Sequence, residues 1–250
     1  MLKPIDFKQS KTGRMVMFYG PPGTGKSTLA ARMAKALEEQ KKKIAVILDF
    51  EIGMSHALQE VDANAKLFDL SDPTPSMSVD LIGLMKGIRD REDVGIVILD
   101  TLSEMAWSLL QGIAGPKPTT LQIYGERKKA LRSILHELRN LTKAGKHVIV
   151  LSHQATGEVE GLPGYYAPEC PKNDRSDIVG MFDCVARVQS ASKAQASLYE
   201  CPAGAPFLNF TRDSQHVSKC RFKIFSDEDN HVLVASSMDD VRAITKKLTP

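Results

Sequence analysis

Met15 to Tyr19 (MVMFY) is an unbroken apolar run of strand length. Ile44 to Leu48 (IAVIL), Gly95 to Leu99 in GIVILD, and His147 to Leu151 (HVIVL) repeat the pattern. Continuous runs predict strands buried on both faces, as in a parallel sheet. The segments between them switch to helical spacing. Leu29, Met33 and Leu37 stand at i, i+4, i+8 within Ser27 to Glu39, and Lys41-Lys42-Lys43 closes that helix where positive charge suits its dipole. Met77 to Asp90 reads as a helix interrupted by Gly83 and Gly87, and Thr101 to Gln111 as another. Glu126 to Ala144 is the clearest: Leu131, Ile134, Leu135, Leu138 and Leu141 form one stripe, capped by Gly145. Lys66 to Leu70 reads as a short edge strand, and Ile5-Asp6-Phe7 as a short extra strand in a basic lead-in.

Two Gly- and Pro-rich stretches, Gly112 to Gly125 and Ala155 to Asp174, are expected to be loops, the first of them mobile. Beyond them the pattern turns β-rich: Cys184 to Gln189, Ala196 to Tyr199, Phe207 to Thr211 and Ser218 to Phe225. An amphipathic helix over about Asp239 to Lys247 follows. Strand–helix alternation over residues 15–152 predicts a mostly parallel α/β sheet with helices on both faces and a β-rich C-terminal extension. Ligands of such sheets sit at the carboxyl ends of the strands, so the polar residues there carry the functional question.

Composition narrows this further. The chain has 250 residues, 42% hydrophobic and 25% charged, as expected of one large soluble α/β domain. Its net charge is +3, too small for a global field, so any nucleic-acid site must be a local patch. Cys170, Cys184, Cys201 and Cys220 form no C-x-x-C pair, which disfavours zinc and fits a reducing compartment. No signal core and no membrane-length apolar run is present, so no membrane partner and a cytoplasmic location are expected, the bacterial host cytoplasm if the chain is phage-encoded.

The strongest chemistry lies between the first strand and the first helix. Gly20-Pro21-Pro22-Gly23-Thr24-Gly25-Lys26-Ser27-Thr28 is a complete G-x-x-x-x-G-K-[ST] phosphate loop in the required context. Glycines let the backbone turn its N–H groups onto phosphate oxygens, and the helix N-terminus adds its dipole. Lys26 is expected to neutralise the β- and γ-phosphates of ATP, and Ser27 to give Mg²⁺ a hydroxyl ligand. Asp100, closing GIVILD, is in Walker B position and is the expected carboxylate of the Mg²⁺ shell; the plainer alternative is an Asp that caps the next turn.

GPPGTGKST is similar to the loop of AAA+ machines, but those place Glu directly after the Walker B Asp, and here Thr101 follows. Glu104 comes next. Glu51, in Asp49-Phe50-Glu51 at the end of the second strand, is the better candidate general base, with Asp49 as the alternative. RecA-type ATPases carry their catalytic glutamate there, also as D-x-E. Ser152-His153-Gln154 ends the strand that RecA-type folds place between phosphate loop and Walker B, where a polar tip senses the γ-phosphate. The apolar run aligns His153 with that position and leaves Gln154 one residue later; either is the candidate sensor. Lys219 and Arg221 share a strand face, as a K-x-R pair that KaiC-like and DnaB-like proteins extend into the neighbouring subunit's ATP site. A solvated charged face is the ordinary alternative. In RecA folds the two loops grip single-stranded DNA. The aromatic and basic candidates on them are Lys117 and Tyr124, then Tyr165, Tyr166, Lys172 and Arg175.

In order, GPPGTGKST, LDFE, GIVILDT, VIVLSH, MFDCVARV and HVSKCR resemble the small phage-encoded RecA-like ATPases of the Sak-four single-strand-annealing group. The resemblance implies one RecA-like P-loop domain over 1–250, its core at about 14–225 and a C-terminal strand and helix at 226–250. It implies an ATP- and Mg²⁺-dependent, DNA-stimulated ATPase that binds single-stranded DNA in recombination. Such a protein assembles as a ring or filament, with a phage or host single-strand-binding protein as a candidate partner. A KaiC-like switch acting on a protein partner, or a helicase or packaging motor subunit, are the alternatives.

Overall fold

The computed structural model of the chain describes residues 12–155, 165–211, 216–222 and 231–249. β1 (Met15–Gly20) leads into α1 (Lys26–Lys41), β2 (Ile44–Asp49) into α2 (Met54–Val61), and β3 (Ala65–Asp69) into α3 (Met77–Arg89). β4 (Val94–Asp100) is followed by α4 (Leu102–Ala114) and α5 (Leu121–Lys143) before β5 (His147–His153). A 3-10 turn (Lys172–Asp174) opens α6 (Arg175–Met181). Then come β6 (Cys184–Ser190), α7 (Lys193–Leu198), β7 (Pro206–Asn209), β8 (Lys219–Cys220), β9 (Val232–Val234) and α8 (Met238–Leu248).

The strands form one sheet in the order β3-β2-β4-β5-β1-β6-β7-β9, with β8 also paired to β6. Pairing is parallel from β3 to β6 and antiparallel for β7, β8 and β9. The parallel α/β reading with a β-rich extension therefore holds. Alternate residues of β1 show why both faces are covered. Met15, Met17 and Tyr19 pack with Met85, Met105, Leu131 and Leu138 of α3, α4 and α5. Val16 and Phe18 pack with Leu29, Met33, Met54 and Ile244 of α1, α2 and α8 on the other face. Each large side chain so buried contributes about 1.5–3 kcal/mol.

Several expectations change. The stretch 112–125 is not a long loop: α4 runs to Ala114, α5 begins at Leu121, and only 115–120 connects them. Gly112 is a packing residue, since a Cβ there would lie 2.3 Å from the Thr74 carbonyl oxygen. Thr120 then caps α5, its side chain accepting the Ile123 N–H. Ala196 to Tyr199 is not a strand. It falls in and just after α7, which Ser192 and Gln195 open with a capping box. Within Ser218 to Phe225 only Lys219–Cys220 forms a strand among the described residues. α2 and α6 were not expected. Ile5-Asp6-Phe7 and residues 156–164 lie outside the described residues.

One polar tie fixes α5 to the sheet. Arg139 Nη1 and Nη2 donate to the two Asp183 oxygens at 2.5 and 2.8 Å, and the Met15 N–H donates to the same carboxylate at 2.9 Å. Burial alone would raise the Asp183 pKa; the bonds from Arg139 and Met15 outweigh it and hold the carboxyl below its ordinary value. A depressed carboxylate contributes stability that is present above its ordinary pKa and is lost as pH falls through the folded one. Arg139→Leu should therefore cost about 1.5–3 kcal/mol at neutral pH, by urea unfolding. The difference from the parent protein should shrink as the pH falls below the ordinary carboxylate range. A difference independent of pH would mean that Arg139 acts through packing alone.

Candidate nucleotide site

Gly20 ends β1 and pairs in register with His153, the end of β5. The loop then turns through Gly23 and Gly25, at φ 75° and 80°, in the left-handed region that L side chains avoid. A Cβ on Gly23 would meet nothing within 4 Å, so the mouth of the loop is open. Thr24 Oγ1 braces the loop by donating to the Pro21 carbonyl at 2.9 Å. Lys26 is only 7% exposed, and its Nζ donates to the Gly20 and Pro21 carbonyls at 3.1 and 3.0 Å. Burial lowers its pKa, and the nearby Glu51 and Asp100 work against that.

β4 carries Asp100 to the same rim, in register with Asp49 on β2. Asp100 is 1% exposed. Its Oδ2 accepts the Ser27 hydroxyl at 2.7 Å, while its Oδ1 is buried without a hydrogen-bond partner. Burial pushes its pKa up to about 6; the Ser27 bond opposes this, and Glu51 and Asp49 add to it. A buried carboxylate oxygen with open lone pairs beside a hydroxyl suits a hard divalent cation. Ser27 and Asp100 thus fit Mg²⁺, and the loop above them fits a phosphate chain. A cavity of about 170 Å³ continues from the loop, lined among others by Thr28, Arg32, Ser190, Gly204, Pro206 and Ala235.

Glu51 stands across from the loop. Its Oε1 accepts from Thr101 Oγ1 at 2.7 Å and from His153 Nε2 at 2.5 Å. Burial would raise its pKa, but the bonds from His153 and Thr101 outweigh it and leave the carboxyl below its usual value. The same bond raises the His153 pKa against burial. Asp49, the alternative base, has both oxygens engaged: they accept the N–H groups of Glu51 and Met54 at 3.0 and 3.1 Å. Its role is to fold the turn that presents Glu51. Ile52 follows at φ 60° and 58% exposed, an uncommon conformation for a β-branched residue. Glu104 also comes close, with one oxygen, a Glu51 oxygen and a His153 nitrogen all within 4.8 Å of one another.

The other candidates separate. Gln154 turns away from Glu51, its Oε1 accepting from Arg187 Nε at 2.8 Å, and the Arg187 guanidinium lies 3.7 Å over the Tyr166 ring. Lys219 and Arg221 do project together, onto the end of α6: Lys219 Nζ donates to the Val179 and Gly180 carbonyls, and Arg221 Nη2 to Gly180 at 2.6 Å. β8 pairs with the first residues of β6, so the pair sits off the rim that carries the phosphate loop. Lys117 and Lys172 are exposed, and Tyr124, on α5, is partly exposed near Arg127. Tyr165 is half-buried. Arg175 is 7% exposed and its Nε donates to the Pro168 carbonyl, which leaves little of it for a phosphate backbone. Sequence reasoning missed Thr101, which caps α4 and holds Glu51 with one hydroxyl, and Arg187, which engages Gln154.

The profile of a protein family described as an AAA domain matches residues 12–222. The chain belongs to that family. This AAA domain is also similar to a solved structure whose title names it an ATPase domain, with a TM-score of 0.53 at 13% identity over 93% of this chain and 84% of that one. At such identity the likeness is one of fold, and the fold is the RecA-like P-loop arrangement. No curated protein matches the sequence. Among the described residues no helix of the AAA domain is long and apolar enough to cross a membrane. It is a nucleotide-binding ATPase domain.

The raised Asp100 pKa has a sign that can be tested. Between the unfolded value, about 3.9, and about 6, the native state holds a proton that the unfolded state has lost. Stability of the metal-free protein from this group is therefore full below about pH 4 and falls as pH rises through 6. Asp100→Asn should stabilise the protein in chelator at neutral pH by on the order of 2–3 kcal/mol. The gain should vanish in acid, and Mg²⁺–ATP should stabilise the variant less than the parent. Thermal unfolding across pH checks this; equal stability at neutral pH would show that Asp100 carries no such penalty.

Proposed function

We propose that the chain is an ATPase whose turnover is gated by single-stranded DNA, of the recombination and strand-annealing kind. The observation that carries this reading is the Glu51 carboxylate, held by Thr101 and His153 opposite an open phosphate loop. A base restrained by the tip of β5 is a base that the segment following β5 can release. That segment holds Tyr165, Tyr166 and Lys172, and Lys117 and Tyr124 lie on or beside the 115–120 connection, so aromatic and basic groups suited to single-stranded DNA follow the strand ends. The order of motifs shared with the Sak-four annealing ATPases supports the same conclusion.

In this mechanism the loop N–H groups from Gly20 to Thr28 and the Lys26 ammonium bind the phosphates of ATP, and Ser27 and Asp100 hold Mg²⁺. The ion, when bound, neutralises charge on the β- and γ-phosphate oxygens. Lys26 exchanges the Gly20 and Pro21 carbonyls for phosphate. Glu51, released by His153, orients a water and takes its proton. His153 is the γ-phosphate sensor in this reading, and Gln154 links the tip of β5 to Arg187 and Tyr166. Lys219 and Arg221 complete a neighbouring protomer's site in a ring or filament, which their distance from their own loop favours.

ATP turnover measured with and without single-stranded DNA tests the reading. Single-stranded DNA should raise the rate. Lys26→Ala should abolish productive ATP binding. Glu51→Gln should keep ATP affinity and lower turnover by about 10²–10⁴-fold, the usual contribution of a general base. Arg221→Ala should lose the DNA-stimulated part, and mixing it with Glu51→Gln protein should restore some. Hydrolysis indifferent to single-stranded DNA would favour a switch acting on a protein partner instead.

A further inference from the structure

A cavity of about 480 Å³ opens between α4, α5 and the segment that follows β5. Its size lies in the range of about 300–1,000 Å³ typical of small-ligand pockets. Trp107, the chain's one tryptophan, stands at it 54% exposed. Arg127 enters from α5 with its guanidinium 5.2 Å from the Tyr124 ring, and its Nε–H is buried without a hydrogen-bond partner. Ser103, Glu104, Glu169 and Cys170 line the rest.

This lining is selective. A phosphate group would face Glu104 and Glu169, and an aliphatic side chain would leave the Arg127 Nε–H unsatisfied. A planar heterocycle with both donors and acceptors meets every group: its face on the indole, a ring nitrogen or carbonyl on Arg127, and an amino group on a carboxylate. We propose that the cavity receives one unstacked base of a single-stranded nucleic acid, with Trp107 as its stacking platform. The inference rests on the single-strand reading above and locates the contact that reports DNA to the ATP site.

The cavity wall is continuous with the catalytic cluster. Ser103 Oγ accepts the His153 N–H at 2.9 Å and lies 3.3 Å from Ser152 Oγ. Glu104, next in the chain, is both cavity wall and neighbour of Glu51 and His153. A base that engages the Glu104 carboxylate draws negative charge away from the Glu51–His153 pair. It also presses on the serine that holds the His153 backbone. Occupancy of the cavity thereby weakens the hold on Glu51 and speeds turnover.

Trp107 fluorescence reads the site directly, because no other indole contributes. Titrating the full chain, with ATP present, with a short oligodeoxycytidine should quench the emission saturably. Trp107→Ala should bind the same oligonucleotide about 5- to 150-fold more weakly by fluorescence anisotropy, the loss of one stacked base. Trp107→Phe should recover part of it. Arg127→Ala, with Trp107 intact, should lose most of the quench, and both cavity variants should lose DNA stimulation of turnover. Circular dichroism and thermal unfolding check that they are folded. If the parent binds the oligonucleotide and is stimulated by it without any change in Trp107 emission, the base site lies elsewhere and the inference falls while the DNA-gated reading stands. If anisotropy shows no binding at all, both fall.

Discussion

Asp49, Glu51 and Asp100 bring three carboxylates to the ends of two neighbouring strands, and the sheet must hold that charge before any nucleotide arrives. Each is held differently. Backbone N–H groups consume Asp49, and Thr101 with His153 engages Glu51. Asp100 keeps one oxygen on Ser27 and one with no partner. The charge is thus left unfinished at one atom, beside a hydroxyl and a loop that fit a cation and a phosphate chain. A pKa of about 6 on Asp100 is the expression of that imbalance. The folded protein carries an electrostatic cost at the place where a bound cation would relieve it.

The order of strands makes this arrangement possible. With β5 between β4 and β1, the tip that carries His153 lies beside Gly20 and within reach of Glu51. The helices that cover this face, α4 and α5, then build the wall of the neighbouring cavity. Thr101 and Ser103 are the links, one hydroxyl on Glu51 and the other on the His153 backbone. A shift of α4 would therefore move Glu51 and His153 together. Ile52, held at φ 60° directly after Glu51, adds local strain on the order of 1–3 kcal/mol to the turn that presents this carboxylate.

Much of this was legible in the chain because the signals were local. The apolar runs gave the central strands, and the G-x-x-x-x-G-K-[ST] spacing with the aspartate closing GIVILD marked the rim. The D-x-E after the second run pointed to Glu51 before its partners were visible. What could not be read needed tertiary contacts. Nothing local says that His153 bonds to Glu51 while Gln154 turns to Arg187. Density of Gly and Pro suggested a long loop at 112–125, but Gly112 is there so that helix backbone can approach Thr74, and Gly125 sits unobstructed within α5. The Ser192–Gln195 capping box was a readable signal for α7, overridden by the β-rich pattern around it.

The position of β1 also sets how the chain must be made. Its two neighbours in the sheet arrive late: β5 lies 133 residues further along and β6 168. Each pairing closes a long stretch of chain before it gains a contact, so folding is expected to be slow and dominated by non-local steps. During synthesis β1, apolar on both faces, emerges from the ribosome with neither partner available. Until β6 is translated, the phosphate loop has no wall behind it, and the nascent strand presents an adhesive edge to other chains. A polypeptide ending before β6 would therefore carry the complete phosphate-loop motif and still lack the sheet that holds it.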